Sequence, residues 1–337
     1  MKITRVEQFV VTVPHIQPIL MCRPTDHHDR PIAIIRVYVD EGIYGLGEGG
    51  RGEHFDQVMD QWISLDLMEL RWPDLGGGFG SAVYDIVGKA LGLPAHKLMD
   101  AQYWEEVPVG YWSCPMELAE FAAEAEIGVK RGFKTHKLKV RPWNIVETVE
   151  LMTQAAGDNY GIIVDPNFTF ETPEQSLRLV HQLERYNIQA FEDPFSYETY
   201  GWNSYREFRS HTSIPLAPHL YDPKKVLTAI KEEAADMFNI GGSPRLTQQN
   251  AGIADAAGFP VWLQVVGLGL GVSGAFATHL HAVVQNASSP IDSLHYMREN
   301  GFIHGALTPK DGVVEVPTEP GLGIELDMKA VEHYRVG

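Results

Sequence analysis

The sequence predicts an α/β fold in which a (β/α) barrel follows a smaller α+β unit, and three observations carry that expectation. Strand-like and helix-like segments alternate from about residue 107 to residue 295. The segment before that places strands first and helices later. Polar residues end successive predicted strands at intervals of one βα unit: Lys137, Asp165, Glu192 and His219 are 28, 27 and 27 residues apart.

Residues 3–13 alternate apolar and polar side chains, as a half-buried strand does. Residues 32–40 form a second predicted strand, and Glu41-Gly42 turns it into residues 43–47. Helices are expected over about 54–70 and 81–99. The second carries Val83, Ile86, Val87, Ala90 and Leu91 at helical spacing and is interrupted by Gly92 and Pro94. The barrel strands are then expected at 107–111, 135–140, 161–164, 190–192, 216–218, 237–240, 261–266 and 291–295, with helices such as 115–131 between them. A doubly wound open sheet is the structural alternative. The tail, 311–327, is strand-like and turn-rich, with Pro317, Pro320, Gly321 and Gly323, and suits a return to the first unit.

With 337 residues, 44% hydrophobic and 21% charged, the chain can bury a sizeable core. A net charge of -17 argues against nucleic acid and anionic membranes as partners. Any anion site must draw local positive charge from Lys, Arg or a metal. The cysteines, Cys22 and Cys114, show no C-x-x-C spacing, which fits a reducing cytoplasm. No run has the length and apolarity of a signal peptide or a membrane span, so a cytoplasmic protein is expected.

The chemistry is concentrated at the strand ends. In Lys137-Leu138-Lys139 the two lysines project to one side of a strand, each disfavouring protonation of the other. A lysine with a lowered pKa is a usable general base. Asp165 and Glu192 each end an apolar strand, one βα unit apart and each close to a proline. Two desolvated carboxylates on neighbouring strands need a cation between them, and oxygen ligands suit Mg²⁺, or Mn²⁺ if a nitrogen joins.

These segments resemble a known family. The run 132–139 resembles the K-x-K strand of the mandelate racemase and muconate lactonizing branch of the enolase superfamily. Val164-Asp165-Pro166-Asn167 resembles its first metal ligand with a D-x-N neighbour, and Phe191-Glu192-Asp193-Pro194 its second ligand in an E-x-P motif. The helix 84–94, Asp311-Gly312 and Pro320-Gly321-Leu322-Gly323 resemble its later signatures. The resemblance implies a (β/α)7β TIM-type barrel, about 106–310, under an α+β capping domain, about 1–105 completed by 311–337. It implies a shared half-reaction, described for the superfamily as a whole: a metal holds the substrate carboxylate, a base takes the α-proton, and an enediolate forms. By that pattern Lys139 is the base, Lys137 assists, and Asp165 and Glu192 hold Mg²⁺ or Mn²⁺. It further implies a small carboxylate substrate, contacted by Asn167, Asn239, Gln264 and Arg23 of the polar loop 23–30, and a homo-oligomer.

The chain departs from the pattern at the third ligand. Matching His219-Leu220-Tyr221 puts Pro218 at the acid's position, whereas the βα period puts His219 there. His219 is therefore a candidate ligand, a candidate acid or a pocket residue. Where other branches carry a second Lys or a His, this chain has Asn239 and Gln264, which hydrogen-bond but take no proton. The expectation is a one-base reaction, dehydration of a hydroxy acid or acid sugar. Epimerisation, racemisation and cycloisomerisation follow as alternatives, and a barrel that binds without catalysis as a further one. Asp292 and His295, near the last strand, are further candidates for a second acid or base, with a solvated strand end as the favoured reading. Gly269-Leu270-Gly271-Val272-Ser273-Gly274 matches G-x-G-x-x-G, but lies too late in the chain for a dinucleotide site. It reads either as a helix N-terminus able to hold a substrate anion or as close packing alone.

Overall fold

The computed structural model describes residues 1–14, 31–49, 55–113, 115–264, 270–292, 298–304 and 307–336. It opens with an antiparallel sheet of β1 (Ile3–Val11), β2 (Ile32–Val39) and β3 (Tyr44–Glu48) in that order. Its buried face, with Ile35, Val37 and Val39, packs on Ala82, Val83, Ile86 and Val87 of α2 (Gly77–Leu91), beyond a short α1 (Met59–Trp62). Glycine makes that contact possible. A Cβ on Gly47 would lie 1.9 Å from the Gly78 carbonyl oxygen, so β3 meets α2 backbone to backbone.

The helix expected over 54–70 does not form as one piece. Part of its backbone is tied to the N-terminal segment instead: Ser64, at φ 70°, donates its N–H to Ile3 of β1, and Leu67 donates to Met1. The helix expected over 81–99 begins earlier, at Gly77, and ends where Gly92 turns left-handed at φ 67°.

Strands and helices then alternate: β4 (Glu106–Ser113), α3 (Leu118–Lys130), β5 (Thr135–Lys139), α4 (Ile145–Ala156), β6 (Gly161–Asp165), α5 (Pro173–Leu183), β7 (Ile188–Glu192), α6 (Tyr197–Ser210), β8 (Leu216–Ala217), α7 (Pro223–Lys231), β9 (Phe238–Ile240), α8 (Pro244–Ala256), β10 (Val261–Leu263), α9 (Gly271–Ala282) and β11 (Ile291–Asp292). One sheet runs β11-β4-β5-β6-β7-β8, all parallel, and β9 and β10 form a parallel pair. A bridge between His219 and Asn239 links β8 to β9. The chain finishes with β12 (Ile303–His304), β13 (Val313–Glu315), β14 (Glu325–Leu326) and α10 (Met328–Tyr334), and β13 pairs antiparallel with β4.

The two-residue period of a strand sorts its side chains. Ile162 and Val164 of β6 join Phe121, Val149 and Val180 in a core between strands and helices. Ile163 faces the other way and packs with Ala190, Ala217, Met237 and Trp262, one residue from or beside each of five successive strands. Two positions further along those strands stand Asp165, Glu192, His219, Asn239 and Gln264. An apolar layer thus floors a polar one.

Candidate active site

Lys137 and Lys139 stand on β5, in register with Ile163 and Asp165 of β6. Lys137 is buried, 1% exposed, and its Nζ lies 2.7 Å from Glu192 Oε2, 2.8 Å from Asp292 Oδ2 and 3.4 Å from Asp165 Oδ2. Burial alone would lower its pKa, but Asp292, Glu192 and Asp165 hold it well above the ordinary lysine value. The expectation that each lysine disfavours the other's protonation therefore fails for Lys137, because three carboxylates outweigh one neighbouring ammonium. Lys139 is partly exposed and its Nζ contacts Asp165 Oδ2.

Asp165 is buried, which would raise its pKa, but Lys139 and Lys137 hold it below the usual range. Its Oδ1 accepts a hydrogen bond from the Asn167 backbone N–H at 3.0 Å. Glu192, at the end of β7, is pushed up to about 7 by burial and by Asp165, against the pull of Lys137. Asn239 Nδ2 donates to Glu192 Oε1 at 2.9 Å and to Gln264 Oε1 at 2.9 Å. Asn239 is buried, and its Oδ1 has no partner among the described residues.

Asp193, the acid that follows Glu192, is not among the ligands expected from the sequence. It is 2% exposed, adopts a left-handed φ of 44°, and accepts from the His219 backbone N–H at 3.1 Å. That turn gathers Glu192, Asp193 and His219, with one potential ligand atom from each lying within 4.8 Å of the others. His219 Nδ1 is 3.7 Å from Glu192 Oε1, and Nε2 has no hydrogen-bond partner among the described residues. Burial and Lys137 lower the His219 pKa to about 4, so the imidazole is neutral at pH 7 with a lone pair to donate. Asp165 is not in that group; both lysines engage it. The sequence signal for Asp193 was the pair of adjacent acids before Pro194, of which the second needed the tight turn to point inward.

Asp292, expected at a solvated strand end, is 2% exposed and pairs with Lys137. The β11–β4 pairing places it in register with Gly110. His295, Arg23 and the rest of the 23–30 loop, both cysteines and Gly269 lie outside the described residues. The G-x-G-x-x-G helix already holds an anion from the chain itself: Glu48 accepts from Leu270 N–H and from Ser273 N–H, the latter at 2.9 Å, at the start of α9. A substrate anion is therefore not what this helix start receives.

The donor set fits a divalent cation. Asp165, Glu192, Asp193 and Asp292 are all buried beside Lys137 and Lys139. With every carboxylate ionised, two negative charges lack a partner in a region shut from water. Glu192 and Asp193 offer oxygens and His219 a neutral nitrogen, a combination that Mg²⁺ accepts and Mn²⁺ accepts more readily.

Residues 119–330 match the family described as Enolase C-terminal domain-like. The chain belongs to the enolase superfamily, in its mandelate racemase and muconate lactonizing branch. Like its superfamily relatives it is an enzyme of lyase or isomerase type. It is 25% identical to the N-succinyl-L-Arg/Lys racemase of Bacillus cereus, across 100% of this chain and 98% of that protein. It is 24% identical to the D-xylonate dehydratase of Haloferax volcanii, across 91% of this chain and 86% of that protein. The muconate lactonizing enzyme of Pseudomonas fluorescens superposes with a TM-score of 0.86 at 23% identity, covering 99% of each chain. The relatives of this superfamily member thus span racemisation, dehydration and cycloisomerisation. No described helix is long and apolar enough to cross a membrane.

Proposed function

We propose that this enzyme removes the α-proton of a small hydroxy acid or acid sugar and expels water, with Lys139 as base. Residues 1–105, completed by 311–337, would cap a closed (β/α)7β barrel over 106–310. The observation that carries the reading is one-sided basicity. Lys139 opens from β5 toward Asp165, while β9 and the end of β10 present Asn239 and Gln264, amides that cannot exchange a proton.

Glu192, Asp193 and His219, with Asp165 beside them, would hold a divalent cation, which when bound draws negative charge from the substrate carboxylate as the proton leaves. Lys137 keeps its proton among three carboxylates and fixes Asp165, Glu192 and Asp292 in place. Lys139 as free amine takes the α-proton. The resulting ammonium returns a proton to the β-hydroxyl leaving on the same face, the C–O bond breaks, and water departs. The enol left behind relaxes to a 2-oxo acid when the α-carbon bears a hydroxyl. Asn239 aligns Glu192 and Gln264 through its shared N–H₂ group.

The test is calorimetric titration of Mg²⁺ and Mn²⁺ into metal-stripped protein, followed by incubation with hydroxy acids in D₂O. One ion per chain is expected, lost in Glu192→Gln and Asp193→Asn, with Mn²⁺ affinity falling more than Mg²⁺ affinity in His219→Asn. An indifferent response to all three would sink the metal assignment. The full-length likeness to a racemase supports a second reading, epimerisation or cycloisomerisation. Deuterium entering recovered acid with no loss of water would select it.

A further inference from the structure

Among the described residues, nothing polar holds the His219 imidazole. Lys137 and Asp165 are fixed by ion pairs, and Asn239 by the oxygens of Glu192 and Gln264. His219 Nδ1 stands 3.7 Å from Glu192 Oε1, beyond hydrogen-bond length, and Nε2 has no partner among the described residues. A histidine that ligates a metal through one nitrogen ordinarily has its ring oriented by a hydrogen bond from the other. Packing has to supply that orientation here.

The packing comes from Tyr221. Its ring lies 4.8 Å from the imidazole, centroid to centroid, at 55°. Gly241, just after β9, leaves room for the ring: a Cβ there would lie 2.8 Å from Tyr221 Cε1. Gly241 is not among the residues with positive φ, so close approach rather than backbone conformation calls for glycine. The chain beneath the two rings is pinned at each residue. His219 N–H donates to Asp193 Oδ1 at 3.1 Å, and Leu220 N–H to the Asn239 carbonyl at 2.9 Å. The Tyr221 carbonyl accepts from Asn250 Nδ2 of α8 at 2.9 Å, and Asp222 caps α7 by accepting from Lys224 N–H at 2.9 Å. With the backbone fixed, rotation of the imidazole is the freedom left, and the Tyr221 ring restricts it. Tyr221 itself is 42% exposed, so removing its ring opens no core cavity.

We propose that Tyr221, seated on Gly241, is a positioning residue that holds the His219 imidazole in place as a nitrogen ligand and so biases the site toward Mn²⁺ over Mg²⁺. This rests on the reading of Glu192, Asp193 and His219 as the cation site, and adds the residue that makes the histidine an effective ligand. The bias follows from ligand chemistry. Imidazole nitrogen suits transition-metal ions, whereas Mg²⁺ is served by oxygens. Loosening the imidazole therefore costs Mn²⁺ more than Mg²⁺.

The experiment titrates Mn²⁺ and Mg²⁺ into metal-stripped protein by calorimetry and records pulsed EPR of the Mn²⁺-loaded protein, in which a coordinated imidazole gives a nitrogen modulation. The parent should show that modulation, and His219→Asn should lose it. Tyr221→Ala and Gly241→Ala should each weaken Mn²⁺ binding about tenfold, the lower end of what an orienting partner contributes, with a smaller loss for Mg²⁺ and a weaker modulation. Tyr221→Phe, which keeps the ring, should match the parent. Parental Mn²⁺ affinity and modulation in Tyr221→Ala and Gly241→Ala would overturn the positioning role and leave His219 as a ligand. An equal loss of both ions, the mark of general damage to the site, would do the same, as would a Tyr221→Phe protein as weak as Tyr221→Ala. No nitrogen modulation in the parent, or modulation that survives His219→Asn, would overturn His219 as a ligand and the positioning role with it.

Discussion

Lys137 and Glu192 meet with 2.7 Å between Nζ and Oε2, both side chains almost wholly shut from water. Asp292 and Asp165 reach the same ammonium from strands on either side of β5. A lysine so placed is a fixed counter-ion. Its neighbour Lys139, two residues on and partly open to solvent, engages Asp165 alone of these carboxylates.

Replacing Lys137 with Met should therefore be felt first as a loss of stability. Removing one partner of a buried ion cluster leaves uncompensated carboxylates, at a cost of about 3–5 kcal/mol. Urea denaturation of the metal-free protein should show that loss. Saturating Mg²⁺ should recover part of it, and a Lys137→Met protein as stable as the parent would show the cluster to be unstrained without its cation.

Lys139→Ala should separate chemistry from folding. Loss of a general base lowers the rate about 10²–10⁴-fold. α-Proton exchange in D₂O, followed by proton NMR, should fall by that order while calorimetric binding of the divalent cation persists. Exchange at the parental rate would assign the base to another group.

Glu48 joins β3 to α9 across the molecule by hydrogen bonds to Leu270 and Ser273. Burial pushes its pKa up, while the two backbone donors and Ser273 pull it down. Glu48→Ala should leave those N–H groups orphaned and lower stability by about 1–3 kcal/mol, with Glu48→Gln intermediate. Thermal denaturation of the three proteins is the measurement. Equal midpoints would mean that the contact between β3 and α9 does not depend on this carboxylate.

His136, His279 and His281 give the fold an acid limit. Each is buried, and burial lowers each pKa to about 3. His136 packs against Ser113, with 2.6 Å between Nε2 and Oγ, and His279 against His96, with 3.1 Å between the Nδ1 atoms. The unfolded chain binds their protons near pH 6.5 and the folded chain only near 3. Their contribution is therefore whole above about pH 6.5 and is lost progressively as pH falls toward 3, each group adding a slope of up to about 1.4 kcal/mol per pH unit. Urea midpoints measured from pH 7 to 5 should drop, and His281→Phe should flatten the drop. An identical pH profile in the variant would remove His281 from the account.

Much of the architecture was legible because it follows from short-range rules. The 27–28-residue spacing of Lys137, Asp165, Glu192 and His219 records one βα unit, and the alternation of Ile162, Ile163 and Val164 records which face each residue takes. Helix boundaries were less legible where the backbone had other uses. Within the 54–70 segment Ser64 and Leu67 gave their N–H groups to Ile3 and Met1, and glycines at 45, 47 and 78 let β3 and α2 touch.

The site divided the same way. By itself the sequence determined which strands carry ionisable residues, because period and strand-end position are local properties. Only the tertiary structure decided who faces whom. It buried Asp292 against Lys137 through a pairing that spans 155 residues, and it turned Asp193 inward through a left-handed backbone. It also set Glu48 on α9 in place of an outside anion. Each depends on desolvation, and whether a charge is desolvated is fixed by what the rest of the chain packs around it.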